Sequence, residues 1–440
     1  MLADPRGLTV TAASAEAVAR LDATILAYCG LKRDTGERLK AALGSDPKLV
    51  LGHLLRGYFM LHMGKRELLP RVAEAAAAAD RAMRDAGATP CERLHRQALQ
   101  AWLERDEMRA IAFLEQILAA HPVDLVALKL AQFLLFYAGD GPRMRAVVAG
   151  ALGAWDDSLP GYGFVLGCHA FGLEETGDYE QAEATGRRAI AFNPEDSGGA
   201  HAVAHVFEMT DRVEYGLAWI GGLESHWRDV NNFAFHVWWH RCLFLLAQRR
   251  YDEVLERYDR EVRADSTEDY LDITNAVAML WRLEQQGVGV GHRWDELAAR
   301  AAERREDHAL VFADVHYAMA LAAKGEADFA AWESAARSYA ANAEKRQARI
   351  MSSIGLALGE AAAAHRRGDY AQALALLLPL RDEIRQIGGS HAQRDLFAQL
   401  LIDSAVKAKR RDVARDLLRE RLAARPRNPW GLGEMELLDR

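Results

Sequence analysis

Apolar residues in this chain return at three- and four-residue intervals, block after block, with polar stretches closing each block. That interval is the period of one face of an α-helix, so each block predicts an amphipathic helix. Turn signals separate the blocks: Asp46-Pro47, Thr89-Pro90, His121-Pro122, Leu159-Pro160 and Asn193-Pro194 follow one another by 43, 32, 38 and 34 residues. Two helices fit between successive signals. Extending the pattern gives an all-α chain of about eleven helical hairpins. Their first helices are expected near 15–29, 48–63, 91–104, 123–138, 160–176, 196–210, 232–248, 268–286, 309–323, 349–366 and 391–408. A hairpin of this kind contacts mainly its neighbours, so residues 1–440 are expected to form one α-solenoid, a superhelix with the first helices on its concave side. Residues 1–12 and 425–440 are read as tails or partial caps.

The clearest unit runs from Pro160 to Pro194, and its turn Gly177-Asp-Tyr-Glu-Gln-Ala returns as Gly368-Asp-Tyr-Ala-Gln-Ala and, more weakly, as Arg250-Tyr-Asp-Glu-Val. These strings resemble the tetratricopeptide repeat. Glycine suits the left-handed backbone that ends a helix, and alanine at the crossing lets the paired helices approach closely.

Composition narrows the partners. The 440 residues are 50% apolar and 27% charged, with a net charge of −8. A nucleic-acid footprint needs a clustered basic surface, which this balance does not supply. The short basic runs Gln248-Arg-Arg250 and Lys407-Ala-Lys-Arg-Arg411 fall where helices end and complement their dipoles. No stretch approaches the length of a membrane span, and no basic start followed by an apolar core suggests a signal peptide. Four scattered cysteines without CxxC spacing fit a reducing, cytoplasmic setting. Self-association through repeat edges is compatible with such a chain, and its oligomeric state is left open.

The candidate chemistry sits on the first helices. His169, His205 and His240 are separated by 36 and 35 residues, while His201 and His236 each stand four positions before the next histidine. An i, i+4 pair shares one helical stripe. Five imidazoles are therefore expected to line one wall of a cavity. His201 and His205 with His236 or His240 are candidate ligands for a divalent metal (zinc, iron or manganese), three nitrogens that leave a fourth position for water. The same residues also suit metal-free acid–base work, with His205, His240, His391, Asp395 and Glu208 as catalytic groups and His391–Asp395 as a couple. Tyr162, Trp238 and Trp239 are expected to supply ligand walls, with His169 and His316 at the rim. Ser390 and Gln393 form a capping box that starts the last first helix. The remaining histidines, among them His53, His62, His95 and His308, read as ordinary core or surface residues.

The strings Pro160-Gly-Tyr-Gly-Phe164, His169-Ala-Phe-Gly-Leu173, His201-Ala-Val-Ala-His205-Val-Phe-Glu-Met209, Trp238-Trp-His240 and Gly388-Gly-Ser-His-Ala-Gln-Arg-Asp395 resemble the tetratricopeptide repeat protein 38 family. Val126-Ala-Leu-Lys-Leu130, Leu280-Trp-Arg-Leu-Glu284 and Asp314-Val-His316 extend the likeness over almost the whole chain. Val237 departs from the asparagine that this family pattern implies. The resemblance implies a helical-repeat protein of the cytoplasm and little about activity. Two functions follow as expectations: a hydrolase- or lyase-type enzyme, or binder, for a small polar molecule, and a scaffold for a protein or peptide partner.

Overall fold

A computed structural model describes residues 1–439. It is all-helical apart from one short strand pair, β1 (Leu2–Ala3) antiparallel to β2 (Thr9–Val10). The helices follow as hairpins. They are α1 (Ala15–Cys29) and α2 (Thr35–Ser45), α3 (Val50–His62) and α4 (Leu69–Ala86), α5 (Pro90–Leu103) and α6 (Glu107–Ala120), α7 (Leu125–Tyr137) and α8 (Gly141–Ala151), and α9 (Tyr162–Glu174) and α10 (Tyr179–Phe192). Next come α11 (Ser197–Met209) and α12 (Val213–Leu223), α13 (Phe233–Ala247) and α14 (Tyr251–Arg257), α15 (Tyr270–Gln285) and α16 (Arg293–Arg304), and α17 (Val311–Lys324) and α18 (Glu326–Ala340). In the tenth, a π-turn joins α19 (Arg346–Ile350) to α20 (Leu356–Arg366), which pairs with α21 (Tyr370–Leu377). The last are α22 (His391–Lys407) and α23 (Arg411–Ala424), followed by α24 (Pro429–Asp439). The hairpins counted from the turn signals are present, and each first helix lies within a few residues of its expected place.

Packing divides the chain into two compact units, Met1–Val203 with Leu223–Ala234, and Ala204–Gly222 with Phe235–Arg440. The three breaks fall inside α11, at the end of α12 and inside α13. No helix is long and apolar enough to cross a membrane, among the described residues.

One feature recurs at every reversal between the two helices of a hairpin: a residue with positive φ. These are Leu31, Gly64, Arg105, Gly139, Gly177, Asp211, Arg249, Gly287, Gly325, Gly368 and Lys409. Glycine holds six of the eleven places. At the others an L-residue carries the left-handed strain that its Cβ creates. The backbone amide of the next residue then returns to a carbonyl of the helix's last turn, as Asp178 N does to Leu173 O (2.9 Å) and Arg410 N to Ala405 O (2.9 Å). A 5.4 Å-pitch helix is thereby stopped and reversed at the same point of each hairpin.

The terminal segments are built into their units. In the first, Thr11 donates through its amide and hydroxyl to Glu92 (2.9 and 2.7 Å), the acid of the Thr89 capping box on α5. In the second, Arg425 donates to the Glu208 carbonyl (2.7 Å) and to Asp211 (2.5 Å), and the Asn428 amide also reaches Asp211 (3.1 Å). Residues 425–439 thus close against α11 and its turn.

The turn geometry makes opposite predictions at two exposed sites. At Gly368 a Cβ would meet nothing within 4 Å, yet φ is +80°. Gly368→Ala is expected to lower stability by about 1 kcal/mol through backbone strain alone, and Lys409→Gly, at φ +60°, to raise it by a similar ~1 kcal/mol. Urea midpoints at constant m-value check both signs.

Candidate functional site

Three imidazoles meet inside the second unit. His205 comes from α11, and His236 and His240 come from successive turns of α13. The His205 and His240 ring centroids are 4.4 Å apart, and those of His236 and His240 are 4.9 Å apart. One ring nitrogen from each lies within 4.8 Å of the others. His205 and His240 are 0% exposed. Trp239 stacks on His236 at 5.5 Å and meets His240 edge-on at 4.9 Å. His201 is buried one turn before His205 on α11, so that helix offers a further imidazole on the same stripe.

The proton on His236 is placed by a chain of polar groups. Backbone amides only donate, so the Ser390 N–H gives its proton to Gln393 Oε1 (2.9 Å) in the capping box of α22. Gln393 Nε2 must then face outward, where it donates to Asn275 Oδ1 (3.4 Å) on α15. Asn275 in turn presents Nδ2 to His236 Nδ1 at 3.0 Å. His236 Nδ1 therefore accepts, and its neutral ring carries hydrogen on Nε2. On α17, His316 is set the other way: Nδ1–H donates to the Phe312 carbonyl (2.7 Å), which leaves the lone pair on Nε2.

Burial keeps these rings neutral. Desolvation pushes His205 and His240 well below the ordinary histidine value, and neighbouring imidazoles add to the effect through His236 at both and His391 at His205. Burial also pushes His236 and His316 down to about 4. The five-imidazole wall read from the sequence is thus, in the second unit, a sealed group with no direct opening to solvent at His205 or His240.

Open space lies one turn farther along α11. A cleft of about 350 Å³ is lined by Glu208, Arg282, Asp395, Arg421, Arg425 and Asn428, together with apolar residues of α13 and α24. Arg421 grips Asp395 with two hydrogen bonds (2.5 and 2.9 Å), and Gln399 adds a third (2.7 Å). Burial works to raise the Asp395 carboxyl, but Arg421, with Arg425 and Arg282 nearby, brings it well below the usual carboxylate range. Asp395 is therefore an anchor for arginine and a poor base, which corrects the expected His391–Asp395 couple. Glu208 behaves oppositely. Burial raises its carboxyl; Arg425, 3.7 Å away, opposes this, and the charge of Asp395 supports it.

Arg282 separates the cleft from the imidazoles. The residue is 2% exposed, and its guanidinium donates to the carbonyls of Ala278 (3.3 Å) and Ala392 (2.9 Å) and lies 5.6 Å from the Trp239 ring. It makes no ion pair among the described residues, and burial pushes its pKa down to about 10. Arg282 and Asn275 went unnoticed in the sequence, although each is a polar residue inside an apolar run of α15, and Arg425 fell in a segment read as a tail.

Other expected site residues have different surroundings. Tyr162, in the first unit, accepts from Arg188 (2.9 Å) and packs on Phe192 between α9 and α10. This makes it a hairpin residue and not a ligand wall. His169, half-buried in the same unit, has Arg145 and Asp178 as charged neighbours. Trp238 faces Arg241 and Arg257, with each guanidinium within 6 Å of its ring, while Trp239 takes the imidazole side. His391 opens α22 and is partly buried.

Two measurements follow. In nitrogen-detected histidine spectra His236 is expected as the Nε2–H tautomer. Asn275→Asp, which puts an acceptor against Nδ1, should convert it to Nδ1–H; an unchanged tautomer would refute the relay. Stability should also depend on pH. The unfolded chain takes up protons near the ordinary 6.5, whereas folded His236 and His316 resist until about 4. The unfolded state binds more protons in between, so unfolding free energy should be complete above pH 6.5 and fall as pH drops toward 4. Urea titrations across that window test the sign.

No family model matches the chain, so the likeness to the tetratricopeptide repeat protein 38 family rests on the residue strings quoted above. Among solved structures, one chain of "Structure of Naa15/Naa10 bound to HypK-THB" is similar. The alignment covers 94% of this chain and 64% of that one, at 12% identity and a TM-score of 0.25. The chain is a helical-repeat protein, and a superposition that loose says nothing about what it binds.

Proposed function

We propose that the second unit binds, and through proton transfer transforms, a small polar molecule bearing a carboxylate or phosphate. The observation that carries this reading is Arg282, a buried cation in the wall of a cleft, whose hydrogen bonds go to main-chain carbonyls. Asp395 and Glu208 act on Arg282 only from beyond ion-pair distance, and an anion entering the cleft would add the close charge partner that a buried cation favours. Glu208 is the group beside it suited to acid–base work, because burial raises its carboxyl above the ordinary glutamate value. Hydrolysis or elimination is the reaction class that such an acid serves. Arg421 and Arg425 shape the site by fixing Asp395 and Asp211.

The imidazole group favours the metal-free branch. His236 Nε2 carries a proton under the Asn275 relay, so metal ligation through that nitrogen would require the relay to be reset. The three rings serve instead as a neutral, polar floor beneath Trp239 and Arg282.

Titration with succinate and with inorganic phosphate, followed by calorimetry, tests the cleft. One of the two anions is expected to bind, and Arg282→Met to weaken it by about 10- to 100-fold, the worth of a charged hydrogen bond, with helix content unchanged. Equal binding by the variant, or binding only of a peptide through its free terminal carboxylate, would replace this reading with another.

A further inference from the structure

The first unit holds a second group of donor atoms, remote in sequence from the cleft. Cys91 and His95 lie four residues apart on α5, and Asp124 is the N-cap of α7. The Cys91 thiol donates to Asp124 Oδ2 at 3.2 Å, and His95 Nε2 donates to the same oxygen at 3.1 Å. Sulfur, nitrogen and oxygen all lie within 4.8 Å of one another. We propose that Cys91, His95 and Asp124 form a binding site for a thiolate-preferring divalent cation, zinc above all.

The geometry is close to what that ion needs. With metal–sulfur bonds of about 2.3 Å and metal–nitrogen and metal–oxygen bonds of about 2.0 Å, the edges of a tetrahedron are roughly 3.5 Å for sulfur–oxygen and 3.3 Å for nitrogen–oxygen. The present separations of 3.2 and 3.1 Å fall short of those edges by only a few tenths of an ångström. The charges also match, since one thiolate and one carboxylate neutralise a dication while imidazole adds none. The outer groups are in place. Asp124 Oδ1 is held by the Ala127 amide (2.8 Å), and the Tyr58 hydroxyl donates to the His95 carbonyl (2.7 Å) while lying 3.5 Å from His95 Nδ1. The residue Cys91 is half-buried while the three donors are buried, so the fourth ligand would be a water that enters with the ion.

Binding would proceed with a defined balance. The metal takes the lone pair of the Cys91 thiolate, and the thiol proton leaves to solvent. The His95 proton moves from Nε2 to Nδ1, where the Tyr58 oxygen stands, and water fills the fourth position. Without a cation, burial and the adjacent Asp124 charge hold the Cys91 thiol protonated. The same three donors then form a hydrogen-bonded cap between adjacent hairpins. A dication would replace that cap with a staple between α5 and α7 and stabilise the folded chain by linkage.

Cobalt(II) reads the thiolate directly and separates this site from the imidazole group of the second unit. The full chain, stripped with chelator, is expected to take one equivalent with a sulfur-to-cobalt charge-transfer band and a tetrahedral ligand-field spectrum. Zinc should displace the cobalt, and its binding should raise Tm and release protons. Cys91→Ser should abolish the charge-transfer band, whereas Cys168→Ser should leave it intact. Absence of the band from the parent chain, or its survival in Cys91→Ser, would overturn the proposal.

Discussion

The structure depends on a backbone constraint that repeats at every hairpin: the chain must pass through positive φ to turn one helix back against the next. Six glycines meet it freely, whereas Leu31, Arg105, Asp211, Arg249 and Lys409 meet it under strain. The requirement is steric, so any residue can satisfy it if the surrounding contacts offset the cost. At Asp211 the offset is visible, because Arg425 and Asn428 hold its carboxylate. A strained turn and the C-terminal segment of the second unit stabilise one another, and the cleft lies where they meet.

Burial then sorts the polar groups by chemistry. The imidazoles of His205, His236, His240 and His316 are buried and held neutral, and the proton positions of His236 and His316 follow from their hydrogen-bond partners. The Ser390 amide determines Gln393, Gln393 determines Asn275, and Asn275 determines His236. The charged groups sit one turn away, where the cleft admits water. Low dielectric around the rings and partial solvation around the carboxylates thus divide one polar region into a neutral floor and an ionic rim. Glu208 stands on that rim three residues beyond His205, so a single helix supplies both parts.

The two units treat their capping residues in related ways. In each, the start of a first helix is tied to something besides its own amides: Glu92 of the Thr89 box holds Thr11, and Gln393 of the Ser390 box holds Asn275. Asp124 caps α7 while receiving both Cys91 and His95. A helix N-terminus must satisfy several free amides, and a side chain recruited for that purpose has a second oxygen or nitrogen to spend elsewhere.

Periodicity and turn residues alone determined the all-helical class, the number of hairpins and the place of each first helix, because these are local consequences of apolar spacing and capping. The same local logic found the Ser390–Gln393 box and put His205, His236 and His240 on shared stripes. Which turns belong to the repeat was legible at Gly177 and Gly368 but hidden at Leu31 or Lys409, since the repeat is conserved in dihedral angle and not in residue type. Only tertiary structure decided that His205 and His240 are sealed, that Asp395 belongs to Arg421, and that His95 shares an oxygen with Cys91. Those outcomes depend on side chains brought together across separations such as 26 residues for Arg421–Asp395 and 217 for Arg425–Glu208. Desolvation and pairing act on distance in space, for which spacing along the chain carries no record.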